Sequence, residues 1–114
     1  MAVTTTVTRV YGVTTLQARA LDAVTATGNG EWIDIRGARD MSVHVSGTYV
    51  GNVSIRGSCS PTIPADTAHE VSIGTPTADA ESINTVSKSV NWIKIHVTSF
   101  TSGSITADVI GYYY

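Results

Sequence analysis

The chain has a single cysteine, Cys59, so it can close no disulfide on itself, and no cysteine-based metal cluster can be built around it. Leucine is nearly missing as well, with two residues against 17 Thr, 14 Val and 10 Ile. β-Branched side chains lose rotamer freedom in a helix and pack well on a pleated surface, so this balance excludes a helical bundle and argues against an α/β fold. Charge is scarce. Seven Lys/Arg and nine Asp/Glu leave a net charge of −2, and Arg36 and Arg39 are the closest pair of bases. A nucleic-acid binder carries a clustered basic footprint, so no nucleic-acid partner is expected. No apolar run approaches the ~20 residues of a membrane-spanning helix, which argues against a membrane partner. The opening MAVTTTVTRV has neither a basic start nor an apolar run and is not expected to act as a secretory signal.

What is present points to one all-β domain. A chain of 114 residues fits a single domain and can bury a core without metal or disulfide support. Residues 1–12 read as an extended N-terminal arm or first strand, rich in β-formers, and residues 13–114 as the domain proper. Residues 16–24 are the only helix candidate, but Leu16, Ala18 and Ala20 alternate with Gln17 and Arg19 as a strand would, and the reading leans to strand or irregular structure. Beyond the turn signal at Gly28, Asn29 and Gly30, period-2 alternation is clean. Ile33 and Ile35 share a face, as do Met41, Val43 and Val45. Val53, Ile55 and Gly57 form the next inward set, and Cys59 continues their parity toward the core. Two hairpins are predicted, one joining residues 41–46 to 53–58 through a loop at 47–51, the other joining 92–98 to 105–109 through a loop at 99–103. Residues 59–66 hold Pro61 and Pro64 and cannot be a central strand, while Ile83 and Val86 are the large apolar anchors of a polar stretch. About seven to nine short strands with regular turn signals indicate a single antiparallel β-sandwich, jelly-roll or Ig-like.

Candidate chemistry is thin. His44 and His96 fall mid-strand on the side away from the apolar stripe, and no two histidines come within twenty residues, so a zinc site is not expected. Cys59 and His69 could form a nucleophile and base, but a free cysteine usually packs as a small hydrophobe. The carboxylates show no paired motif, and no phosphate-cradling glycine loop or nucleophile motif occurs. No catalytic residue, cofactor or metal is expected, and the chain is not expected to be an enzyme. Aromatic side chains could stack on sugars, yet Trp32 and Trp92 each precede buried isoleucines and suit a sealing role. Val3 and Val7 in the arm, Tyr49 at the tip of a predicted hairpin, and Tyr112, Tyr113 and Tyr114 at the terminus are the candidate contacts to a partner or to other copies.

Three stretches carry a resemblance: LDAVTATGNGEWIDIRG at 21–37, VHVSGT at 43–48 with VSIRGS at 53–58, and WIKIHVTSFTSGSIT at 92–106. Together they resemble the small β-sandwich virion proteins of tailed bacteriophages, most of all head decoration (cement) proteins. The resemblance implies a structural protein on the capsid surface, made in the host cytoplasm, with the major capsid protein and further copies of itself as partners. The implied assembly is a homotrimer. A tail- or fibre-associated structural protein and a carbohydrate-binding module are the alternatives.

Overall fold

The computed structural model describes residues 4–10, 13–64 and 70–113, with side chains described at 15–64 and 70–112. Ten strand segments follow one another: β1 (Thr4–Val10), β2 (Val13–Val24), β3 (Gly28–Asn29), β4 (Ile33–Asp34), β5 (Met41–Ser46), β6 (Tyr49–Ser58), β7 (Val71–Gly74), β8 (Ser82–Val86), β9 (Trp92–Gly103) and β10 (Ile105–Tyr113). Sheet A runs β1-β2-β10-β5-β8. Sheet B runs β3-β9-β6-β7, with β4 also on β9, so β3 and β4 are two pieces of one broken edge. Every pairing is antiparallel, and the two sheets pack as a sandwich of nine strand positions, as the composition and alternation predict.

The inward stripes meet between the sheets. Val43, Val45, Val53, Ile55, Ile93, Ile95, Val97, Ile105 and Val109 are almost wholly removed from water. Each such side chain contributes about 1.5–3 kcal/mol relative to an exposed one, which is why the stripe fixes the register. The two Trp-Ile-x-Ile segments, sixty residues apart in sequence, lie side by side, with Ile33 opposite Ile93 and Asp34 opposite Trp92.

The two predicted hairpins are instead arches. β5 lies in sheet A and β6 in sheet B; β9 lies in sheet B and β10 in sheet A. Alternation cannot tell these apart, because both arms turn the same stripe to one core whether they pair with each other or face each other across it. The corners decide. Gly47 and Gly103 adopt φ of +105° and +89°, and the arches stack so closely that Ser104 N–H donates to Thr48 O at 3.1 Å. Residues 16–24 are strand, not helix. In β2 the partners of Ala107 and Asp108 are Leu21 and Arg19, so Ala20 is an extra residue and both Ala20 and Leu21 turn inward at a bulge. The N-terminal segment is a paired strand along residues 4–10, in unbroken register with β2 from Thr4↔Arg19 to Val10↔Val13.

Three further expectations change. Cys59 is exposed, because β6 ends at Ser58 and the chain leaves the sheet before the parity can carry it inward. Ile83 is 73% exposed on the outer side of β8, and only Val86 anchors that strand. Tyr49 is buried at 4% exposure, not displayed at a tip. Its hydroxyl donates to Ala80 O at 2.8 Å, and burial raises its pKa above the ordinary phenol value. Asp79 completes this lock: its carboxylate accepts the Gly51 N–H at 2.7 Å, while its own N–H donates back to Gly51 O. Tyr49→Phe is expected to cost about 0.5–1.5 kcal/mol, since Ala80 O loses its buried donor. A fall in urea midpoint at unchanged m-value checks it, and an unchanged midpoint refutes the lock.

Candidate functional site

The outer faces of the two sheets differ, and the difference marks sheet A as the candidate. Sheet B is covered at one end. After Ser58 the segment 59–64 folds over it and is held by backbone acceptors: Trp92 Nε1 donates to Ser60 O at 2.9 Å, Asn91 Nδ2 to Ser60 O at 3.1 Å, and Arg36 to Pro61 O at 3.3 Å. Trp92 is 9% exposed and its ring carries the Arg36 guanidinium at 5.3 Å, so it is no open platform for a sugar. Arg36 also grips Asp34 with two bonds, at 2.6 and 3.0 Å, which holds the Asp34 carboxyl below the usual carboxylate range.

Next to this lies an ionic network. Arg56 on β6 and Lys94 on β9 are directly opposite in register. Two like charges so placed repel, and Glu70 enters between them. Its carboxylate is 2.9 Å from Arg56 and 2.6 Å from Lys94, with the Glu70 and Lys94 side chains 4% and 3% exposed. Trp32 covers the group, its half-buried ring 4.6 Å from the Lys94 ammonium. His96 stands beside it, hydrogen-bonded to Asn29. Burial and then the nearby Arg56 push its pKa down, with Lys94 adding to this against an opposing pull from Glu70. The network ties β6 and β9 to Glu70, one residue before β7, and through His96 to Asn29 on β3, and its groups are engaged with one another. Sequence reasoning missed it because its members lie 14 and 24 residues from Glu70; the only available signal was that Arg56 and Lys94 both fall at outward parity.

Sheet A presents its outer face uncovered by any described segment. Its cross-strand rows read Ile83, His44, Asp108 and Arg19, then Thr85, Ser42, Ile110 and Gln17, with Tyr112 beside Thr15. A shallow depression of 640 Å³ crosses it between Gln17, Arg19, His44, Asp108 and Ile110. Within the chain Arg19 pairs with Asp108 at 2.9 Å, and the His44 ring is hydrogen-bonded to Glu81 at 2.7 Å. Exposed pairs like these add only about 0–1 kcal/mol to stability. Beside these engaged groups the face exposes hydroxyls, an amide and the apolar groups of Ile83, Ile110 and Tyr112. Such a flat mosaic suits protein docking better than small-molecule chemistry, which works in concave apolar pockets. Among the described residues no group of three or more His, Cys, Asp or Glu is placed to hold a metal ion.

Of the residues singled out in the sequence, Tyr112 lies on this face at 37% exposure. Tyr113 continues β10 opposite Thr14, and Val7 sits on β1 opposite Leu16. Val3, Tyr114 and His69 lie outside the described residues. Tyr49 is far from solvent and does not belong to the surface.

Comparison with protein-family models and with curated proteins finds no match. Among solved structures the chain is similar in fold to the SPBc2 prophage-derived protein YomS, with a TM-score of 0.69 and 16% sequence identity, over 92% of this chain and 98% of that protein.

Proposed function

We propose that this chain is a structural protein of a phage particle, attaching to the outside of the assembled capsid through the outer face of sheet A and stabilising it. The observation that carries the reading is the fold shared, over nearly the full length of both chains, with a prophage-derived protein. The unequal faces of the sandwich favour sheet A as the docking side. A face of five strands at ~4.8 Å spacing and about six residues long offers roughly 500 Å². A standard interface takes about 800 Å² from each partner, so one copy attaches weakly and neighbouring lattice sites supply the rest. A protein that binds only the assembled shell stabilises it by mass action, without any catalytic step.

The test is occupancy on particles. Ile83→Lys with Ile110→Lys places two cations on the docking face, away from the core. At least a tenfold loss of copies per head is expected, with thermal stability of the free chain unchanged. Wild-type chain that fractionates with tails would move the attachment to the tail, and chain absent from particles would end the reading. Full occupancy of the double variant would reject sheet A as the docking face.

A further inference from the structure

A sandwich has open sheet edges, and unpaired backbone N–H and C=O groups along an edge template the pairing of another strand. Three of the four edges here are blunted. β7 is four residues long and runs into Gly74, Thr75 and Pro76; β3 and β4 are two residues each, broken around Gly30; β8 is five residues, followed closely by Lys88. β1 is different. It has seven residues, TTTVTRV, with no glycine, proline or bulge and a single charge at Arg9, and among the described residues it pairs with β2 alone. β-Branched residues fill every position but one.

We propose that β1 pairs edge to edge with β1 of a second copy, antiparallel about a two-fold axis at Val7, so that two A sheets become one continuous sheet. The sequence of β1 is self-complementary in this register. Val7 meets Val7, Thr6 meets Thr8, Thr5 meets Arg9 and Thr4 meets Val10, so no like charges oppose, and Thr6–Thr8 recurs on both sides of the axis. In the β1–β2 register Thr6 and Thr8 lie opposite Gln17 and Thr15. Such an isologous contact closes on itself. Pairing β1 with β8 of the next copy would be heterologous and would leave a free β1 and a free β8 to propagate. The dimer needs no capsid, so it stands or falls apart from the attachment proposed above. A seam of seven residues a side is below standard interface size, so the dimer forms and dissociates with concentration.

Sedimentation equilibrium of the full chain over a hundredfold concentration range tests this, together with amide exchange along residues 4–10, which should slow as concentration rises. Thr6→Lys with Thr8→Lys sets two like-charge pairs across the seam. Thr6→Glu with Thr8→Lys sets two opposite-charge pairs at the same positions, and amide exchange along residues 4–10 in the dilute, monomeric chain reads any effect of either variant on β1–β2 pairing. The first is expected to weaken dimerisation roughly two- to thirtyfold and the second to tighten it by a similar factor. A chain monomeric to about 1 mM overturns the proposal. A trimer also overturns it, as does a dimer of equal affinity in both variants or one whose β1 amides exchange at a rate independent of concentration.

Discussion

Replacing Gly103 by alanine is expected to cost about 3–5 kcal/mol, a large part of the ~5–15 kcal/mol that holds a typical domain. Gly103 has φ of +89°, a region that β-carbon-bearing residues enter only with strain. A Cβ there would stand 2.0 Å from Thr48 O and 2.7 Å from Tyr49 Cα. Those atoms are backbone of the neighbouring arch, not the end of a side chain that could swing aside. The arch cannot retreat without breaking the bond from Ser104 N–H to Thr48 O and drawing Tyr49 from its pocket. Gly47→Ala meets the same difficulty from the other side, its Cβ 2.4 Å from Ser104 O. Gly74→Ala is the control, since its nearest neighbour is Ile55 Cδ1 at 3.2 Å, which can give way. Urea denaturation of the three variants checks the ordering. A Gly103→Ala protein as stable as Gly74→Ala would mean that the two arches are not stacked as described.

Glu70→Gln is expected to destabilise by about 3–5 kcal/mol, because it removes the anion from between two cations that the sheet register sets face to face. For a domain of this size that is a fall of roughly 12–20 °C in Tm. Glu81→Gln removes a carboxylate that is 64% exposed and is expected to change stability by less than about 1 kcal/mol. Thermal melts of both compare a buried ionic group with an exposed one in the same molecule. Equal shifts would show that Glu70 is not the keystone of sheet B. Replacing all three members together by Met or Leu should be neutral or even stabilising, since burying charges costs about as much desolvation as their attraction returns.

The dry side of the sandwich was legible because side chains alternate with period two: Val43/Val45, Ile93/Ile95/Val97 and Ile105/Val109 all lie where their parity puts them. Which strand each one borders was not. β5 and β6 are adjacent in sequence and carry matched stripes, yet they belong to different sheets, and a glycine such as Gly47 suits a hairpin turn as well as an arch. The bulge in β2 is what left residues 16–24 open to a helical reading beside the strand one. Leu16, Ala20 and Leu21 fall at i, i+4 and i+5, a helical spacing produced here by one inserted residue in a strand. Tyr49 was misplaced for a related reason: a loop drawn from 47 to 51 leaves it at a tip, whereas β6 begins with it. The site was harder still. The candidate face is set apart by what does not cover it, and no residue pattern in the chain marks segment 59–64 as lying on sheet B rather than sheet A.

The double arch also constrains how the molecule comes together. Each arch lends one arm to each sheet, so neither layer can be completed while the other is absent, and the chain has no half that could persist alone. Nearly all its pairings join residues distant along the chain, which places it among slow, all-or-none folders on the millisecond-to-second scale. A nascent chain must therefore wait for its last strand, β10, before any of the earlier ones is secure.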